Sequence, residues 1–535
     1  MSLSPSLPHN RAAAALLLGA PLLFGLAWYC PPGQNLGDIC DHRFNMFIME
    51  HGYQWLIGQV PRFWDADIFF PASANTIAFS DHHVGNLPLY ALVRTLGLGR
   101  EAAMAAWMAA VCALNYAAAA WVLVRLTGSA LGAAMGAYFF AFGMPMIGQA
   151  QHPQLFPRYF VPLAVWYLLQ AIASQRTWPL VALGLMVVGQ LYTGMYIGIF
   201  LVEVLACLAL AQWLYPGTRA AFTAWLLPRA LAPWLLRLGL LFGAALALLP
   251  VALPYLRAFH QLGGRSWPLV ISMVFTPLSL ILPPNHTLLW SQLEWFVPFQ
   301  GTHGEHRAFI GASLLGLALI YARLRRSGHG LRDETLLWTT LIGVLIAGLL
   351  TSRLSKTLSL YWFLYLLPGV GSLRAITRIM LVLQFPLALL LALTTRALAD
   401  RAALLARPWL QVALGPALLV LLALDQLVVD YPRYPVDADA ARIAGYVEEL
   451  RQQPPGWKAF AIVGPAFIVN ATDSLLVAQD SRRPTASGYS GNFPANWSFP
   501  TDVAHVAAWL AACNQAGSYG PPLQLADIAI LRQRE

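Results

Sequence analysis

Charge is scarce in this chain, and so are the patterns that soluble catalytic domains usually carry. Only 11% of its 535 residues are Asp, Glu, Lys or Arg and 58% are hydrophobic, against about 25% charged in ordinary soluble domains. That balance excludes a soluble globular protein and reads as an integral membrane protein. Cysteine is nearly absent: the five present, Cys30, Cys40, Cys112, Cys207 and Cys513, have no metal-type spacing. Cys112 and Cys207 lie inside apolar runs, so only Cys30 and Cys40 are placed to pair. No internal repeat is present, and no low-complexity segment beyond the Ala/Leu bias of membrane helices. A cleavage site is missing as well. Arg11 followed by the apolar stretch 12–29 imitates a signal peptide, but Trp28 and Tyr29 stand where small residues are needed, so an uncleaved first helix is expected.

What the chain has in abundance is apolar runs long enough to span a bilayer. They fall near 12–29, 103–124, 129–147, 158–174, 179–192, 195–214, 236–256, 307–322, 335–352, 378–396 and 408–427. This predicts about eleven transmembrane helices. The segment Tyr192-Thr193-Gly194 is read as a break between two spans rather than a kink. With the N-terminus in the cytoplasm, Arg125, Arg176, Arg219, Arg229, Arg237, Arg323, Arg325, Arg326, Arg332, Arg396, Arg401 and Arg407 all fall in cytoplasmic loops. The net charge of +9 is accounted for by this topology, so it implies no nucleic-acid partner. From Asp430 onward ten of the 24 acids are found. The division expected is therefore a transmembrane domain, 1–429, a linker at Asp430–Pro435 and a small periplasmic α/β domain, 430–535. Strands are predicted at 459–463, 474–478 and 528–531 and a helix at 503–513.

Acids are distributed unevenly. Asp38, Asp41, Glu50, Asp65, Asp67 and Asp81 crowd the first outer loop, 30–83, whereas residues 82–293 contain only Glu101 and Glu203. An ionisable residue at a membrane mouth is a functional candidate by default. Asp38 and Asp41 could supply a general base for an incoming hydroxyl and a partner to orient it. They could also simply pair with Arg43 or cap the next helix. Phe44, Phe47, Ile48 and Trp55 recur at helical spacing, which predicts an amphipathic helix on the membrane surface.

Four further constellations lie on the side this topology calls outer. Asp81-His82-His83 could contribute to a metal site with Glu50 or His51, since adjacent histidines cannot both point one way; loop hydrogen bonding is the alternative. His152 and Gln154 occupy a polar, Pro-bounded turn. Glu305, with His303 and His306, ends the second long outer loop, 257–306, and could orient a substrate or join a metal. Arg374 and Arg378 are four apart and share a helix face. Their forked guanidiniums suit a phosphate, and outer-face arginine runs against the positive-inside trend; snorkelling to water is the alternative.

Gly37-Asp38 through Asp41 and Arg43-Phe44, Phe69-Phe70-Pro71, Ser80-Asp81-His82, His152-Pro153-Gln154, Glu305 with Ile310-Gly311, and Leu373-Arg374 with Arg378 follow one another in an order that resembles bacterial members of the GT-C superfamily of membrane glycosyltransferases. The tail segment Ser487–Pro494 is similar to one in the outer domain of related proteins, so the resemblance covers most of the chain. It implies a polytopic helical fold and an inverting enzyme of the bacterial inner membrane that moves a sugar from a polyprenyl-phosphate carrier to a lipid, glycan or protein acceptor. Asp38 or Asp41 would then be the base; the spacing Asp-Ile-Cys-Asp leaves open which. Arg374 and Arg378 would stabilise the departing phosphate, and Arg43, Asp81, His82, His83, His152, Gln154 and Glu305 would line the substrate. A divalent metal ion is a candidate cofactor with no ligand set assigned. Two other readings compete: a transporter or flippase of a lipid-linked saccharide, and a non-catalytic partner in envelope-polysaccharide assembly. The near-absence of mid-span acids and of repeats argues against the first of these.

Overall fold

A computed structural model describes residues 11–296, 303–331, 334–367, 369–404, 408–517 and 519–534. The chain is a polytopic helical membrane protein. Each of the eleven apolar runs coincides with a helix: α1 Arg11–Tyr29, α3 Arg100–Thr127, α4 Ala130–Phe142, α5 Phe160–Ser174, α6 Thr177–Thr193, α7 Met195–Leu214, α8 Leu231–Leu262, α9 Ala312–Arg326, α10 Thr335–Leu350, α11 Met380–Leu404 and α12 Pro408–Gln426; α2, Asp41–Leu56, precedes α3. Among the described residues seven helices are long and apolar enough to cross a membrane, with three shorter apolar ones at Thr177–Thr193, Thr335–Leu350 and Ala413–Gln426. Gly194 does separate two helices, and the chain doubles back there: an added Cβ on Gly198 would meet the Leu191 side chain at 2.6 Å, which a straight helix could not allow across seven residues.

Alternate helix ends meet at opposite faces of the bundle. At one end Trp28 Nε1 donates to the Val428 carbonyl (3.1 Å), Asn86 to the Thr193 carbonyl (2.8 Å) and the Arg374 N–H to the Tyr196 hydroxyl (3.1 Å). At the other, Arg396 donates to the Thr127 carbonyl (2.6 Å) and Gln175 to the Ala221 carbonyl (3.0 Å). By the same alternation the arginines between Arg125 and Arg401 that the sequence assigned to one side share this second end; Arg332 and Arg407, like 297–302 of the second long loop, lie outside the described residues.

Several expectations are corrected. Residues His42–Gly52 of α2 are all buried, so this helix does not lie on a membrane surface. Its apolar face meets protein, both neighbouring helices and the C-terminal region, where Gln479 donates to the Phe47 carbonyl (2.7 Å). The linker is not free chain: β2, Arg433–Pro435, pairs antiparallel with β1, Gln34–Leu36. Beyond it stand α13 Val436–Arg451, β3 Ala459–Val463, α14 Phe467–Ser481, α15 Val503–Ala516 and β4 Ile528–Arg532, with β3 and β4 parallel. The strand expected at 474–478 is part of α14, a short apolar run being equally compatible with a buried helix. Cys30 and Cys40 are both free, and Cys30 lies beside Cys112 instead.

Candidate functional site

The loop that follows α1 turns into α2 at Asp38. Its Oδ1 accepts the Cys40 and His42 N–H groups, each at 3.1 Å, so this carboxylate caps the start of the helix, where orphan donors need acceptors. Asp41, the first residue of α2, is differently placed. Its Oδ2 lies 2.7 Å from His152 Nδ1, a close but bent contact, and its Oδ1 accepts the Tyr489 hydroxyl. With 26% of its side chain exposed, it keeps an open side. A carboxylate has about four lone-pair sites, so acceptor capacity remains for an incoming hydroxyl.

His152 links Asp41 to Arg378. The Arg378 Nη2 lies 3.0 Å from His152 Nε2, and a guanidinium can only donate. Nε2 must therefore be the lone-pair nitrogen, which leaves the proton on Nδ1, facing Asp41. Arg378 is itself held in a two-pronged pair by Glu305, Nε to Oε2 at 3.0 Å and Nη2 to Oε1 at 2.7 Å, and its guanidinium sits 5.6 Å from the Tyr196 ring centre. The result is one connected row, Asp41, His152, Arg378 and Glu305, with Tyr489 beside its Asp41 end. A small crevice lined by Gln149, Glu305, Arg307 and Arg378 opens onto its far end. A separate cavity of about 780 Å³, lined by Trp55, Arg62, Trp64, Tyr192, Val251 and Arg257 among others, holds none of the row.

Electrostatics follow from these contacts. Burial alone would raise the Asp41 pKa, but the neighbouring His152 imidazole, the Tyr489 hydroxyl and the Arg378 guanidinium together bring it below the ordinary carboxylate value. Glu305 is likewise pushed up by burial and brought down further by Arg378, with Arg374 adding to the effect. Asp38 moves the other way, raised by burial and by the neighbouring Asp41 charge against the His42 N–H. Asp41 is thus an ionised acceptor near neutral pH, while Asp38 is engaged in holding the backbone.

The remaining sequence candidates separate from this row. Arg43 points into the C-terminal region, where it is buried between Asp439 and Asp473; it is an anchor and not part of the open site. Asp81 Oδ1 accepts the Met195 N–H at 2.8 Å and so caps α7, its pKa pushed up to about 6 by burial. His82 and His83 are fully buried, each pushed down to about 3 by burial and so neutral; His83 pairs with Asn45 (2.7 Å) and Asn86 (3.0 Å), and His82 Nδ1 accepts the Val84 N–H (3.0 Å). The Gln154 Oε1 is buried with no hydrogen-bond partner. Glu50 is held by Arg94 and Tyr90, and His51 faces the Phe63 carbonyl. With these donors individually engaged, no group of three or more His, Cys, Asp or Glu side chains able to hold a metal comes together among the described residues. The donor set does not fit a metal centre.

No family model matches the chain, and no curated protein does. Among solved structures it is similar to the Archaeoglobus fulgidus oligosaccharyltransferase in its apo form: 13% identity, TM-score 0.49, covering 90% of this chain and 65% of that one. A second structure of that protein, tethered to an acceptor peptide containing the NVT sequon, gives 14%, 0.48, 90% and 64%. ArnT from Cupriavidus metallidurans, bound to undecaprenyl phosphate, gives 12%, 0.45, 89% and 86%. The chain thus spans 65% of the first protein's length.

Two side chains that sequence reasoning passed over stand beside the row. Tyr489 comes from the segment 487–494, whose likeness to other outer domains was noted without assigning the tyrosine a role. Arg265, half-buried, donates to the Gly491 carbonyl (2.7 Å) and lies close enough to Arg374 for the two charges to repel, an effect second to burial in lowering the Arg265 pKa. It lies in the same predicted outer loop as Glu305, so the charge-asymmetry argument that singled out Arg374 applies to it equally.

Proposed function

We propose that this protein is a GT-C-type glycosyltransferase that moves a sugar from a polyprenyl-phosphate carrier to an acceptor hydroxyl at the outer face of a bacterial inner membrane. The observation that carries this reading is the row Asp41, His152, Arg378, Glu305, formed at one end of the bundle from four distant parts of the chain. Asp41, not Asp38, is the base in this reading, because Asp38 is committed to the helix start.

The acceptor hydroxyl gives its proton to Asp41 as its oxygen attacks the anomeric carbon. The bond from that carbon to the carrier phosphate breaks, and the electron pair leaves with the lipid phosphate. The depressed pKa makes Asp41 a weak base, so proton transfer to it follows only as the new bond forms and the hydroxyl becomes acidic. Stabilisation of the growing phosphate charge falls to Arg374 and Arg265, since Arg378 is matched by Glu305. Fixed cations aimed at a developing anion are the larger part of such catalysis.

The test is complementation. Envelope glycans of a deletion strain are compared by mass spectrometry with those of strains carrying Asp41→Asn or Asp38→Asn. The glycan missing from the deletion should stay missing with Asp41→Asn and return, at least in part, with Asp38→Asn. Full restoration by Asp41→Asn would sink the mechanism.

A further inference from the structure

We infer that Tyr489 is a positioning residue for Asp41, so that the C-terminal region is part of the site itself rather than an appended module. The inference deepens the glycosyltransferase reading but rests on separate geometry.

A phenol facing a carboxylate can only donate, and Tyr489 gives its proton to Asp41 Oδ1, on the opposite oxygen from His152. With Oδ1 held by this bond and Oδ2 in close contact with His152, the carboxylate is restrained about its χ2 torsion, which is otherwise broad. The tyrosine is in turn held by its surroundings. Its ring packs edge-on against Phe44 of α2, with centroids 5.7 Å apart. The preceding Gly488 lies flat on Phe69, where an added Cβ would come within 2.1 Å of the ring; only glycine allows that approach. On either side the backbone is pinned: the Ser487 carbonyl accepts the Phe69 N–H (2.9 Å), and the Gly491 carbonyl accepts Arg265 (2.7 Å). Asn492 adds a bond to the Phe79 carbonyl (3.0 Å). The segment 487–492 is therefore clamped at Phe44, Phe69 and Phe79 of the loop and helix that follow α1, and at Arg265 of the second long loop, around one functional contact.

Among the described residues the charged or titratable groups shown to act on Asp41 or to be acted on by it are Asp38 and Cys40 on its own loop, His152 ahead of α5, Arg378 ahead of α11, and Tyr489. Of these, Tyr489 alone comes from the C-terminal region. Its removal leaves the others in place.

A readout independent of any sugar substrate follows. Full-length protein in detergent is treated with a water-soluble carbodiimide and glycine methyl ester across a pH series, and labelling of the Asp41 peptide is quantified by mass spectrometry. Only the protonated carboxyl reacts, so the midpoint reports Asp41 and the low-pH plateau reports access. One lost hydrogen bond to a charged group corresponds to a midpoint about one pH unit higher, or roughly tenfold more labelling at fixed pH above it. Tyr489→Phe should show that shift, and Gly488→Ala, which forces the segment off Phe69, should show the same direction. An unchanged midpoint in Tyr489→Phe, with an intact melting transition, overturns the inference. Failure of the glycosyltransferase reading would instead appear as normal glycans with Asp41→Asn, whatever the labelling shows.

Discussion

Arg43 offers the sharpest test of how the C-terminal region is joined to the loop that carries Asp41. Its guanidinium is 1% exposed and bridges Asp439 on α13 and Asp473 on α14, each carboxylate 2% exposed. Arg43→Met leaves two buried carboxylates without their main partner. Breaking a buried pair from one side costs about 3–5 kcal/mol, but Arg442 still reaches Asp439 at 3.0 Å and Asp473 at 3.1 Å. The lower end, about 3 kcal/mol, is therefore expected, which corresponds to about a hundredfold in an opening equilibrium. Hydrogen exchange read by mass spectrometry on the full chain resolves such local opening. Peptides from α2 and α14 should exchange about a hundredfold faster, while those from α11 should not change. The triple variant Arg43→Met, Asp439→Asn, Asp473→Asn removes both stranded charges and should regain much of the protection, since Arg442 is 29% exposed and can turn to water. Unchanged protection in Arg43→Met, or a triple variant as open as the single, would refute the reasoning.

Glu305→Gln strands Arg378, which is 6% exposed, and should lower the melting temperature, with Arg378→Met in the same chain restoring part of the loss. Asp81 supplies a pH test: its folded pKa of about 6 lies above the ordinary 3.8, so the folded state holds a proton that the unfolded chain releases. The stability it contributes is complete below about 4 and is lost as pH rises through about 6; Asp81→Asn should flatten the melting-temperature profile across that window, and an unaltered slope would count against the burial argument.

Spans were legible because crossing a bilayer demands continuous apolarity, a property of local sequence. The burial of α2 was not. Phe44, Phe47 and Ile48 have the same periodicity whether their face meets lipid or protein, and the partner that covers them, α14, begins more than 400 residues later. The same limit hid the strand pairing of Arg433–Pro435 with Gln34–Leu36. At the candidate site, each member of the row was visible singly through charge scarcity, Asp41 by its place in the acidic loop and Arg378 by its side of the chain. Their contacts were not, because Asp41, His152, Glu305 and Arg378 are brought together only by helix packing. Arg43 and Asp81 were misleading for a physical reason: a charge near a membrane mouth is equally expensive whether it serves chemistry, anchors a domain or caps a helix.

Glu305 explains why Arg378 can stand in this row at all. An uncancelled guanidinium 3.0 Å from His152 would deepen the attraction for the ionised form of Asp41 and weaken it further as a base. Glu305 neutralises Arg378 on its far side while leaving the guanidinium free to fix the His152 tautomer. Arg265 and Arg374, which form no ion pair with a carboxylate among the described residues, lie beside the row rather than in it, and an anion placed between them would relieve their mutual repulsion. In the proposed mechanism the environment of Asp41 and the binding of the anion thus fall to different arginines, Arg378 and Arg374, so that loss of Arg374 should weaken phosphate handling while leaving the Asp41 labelling midpoint where it was.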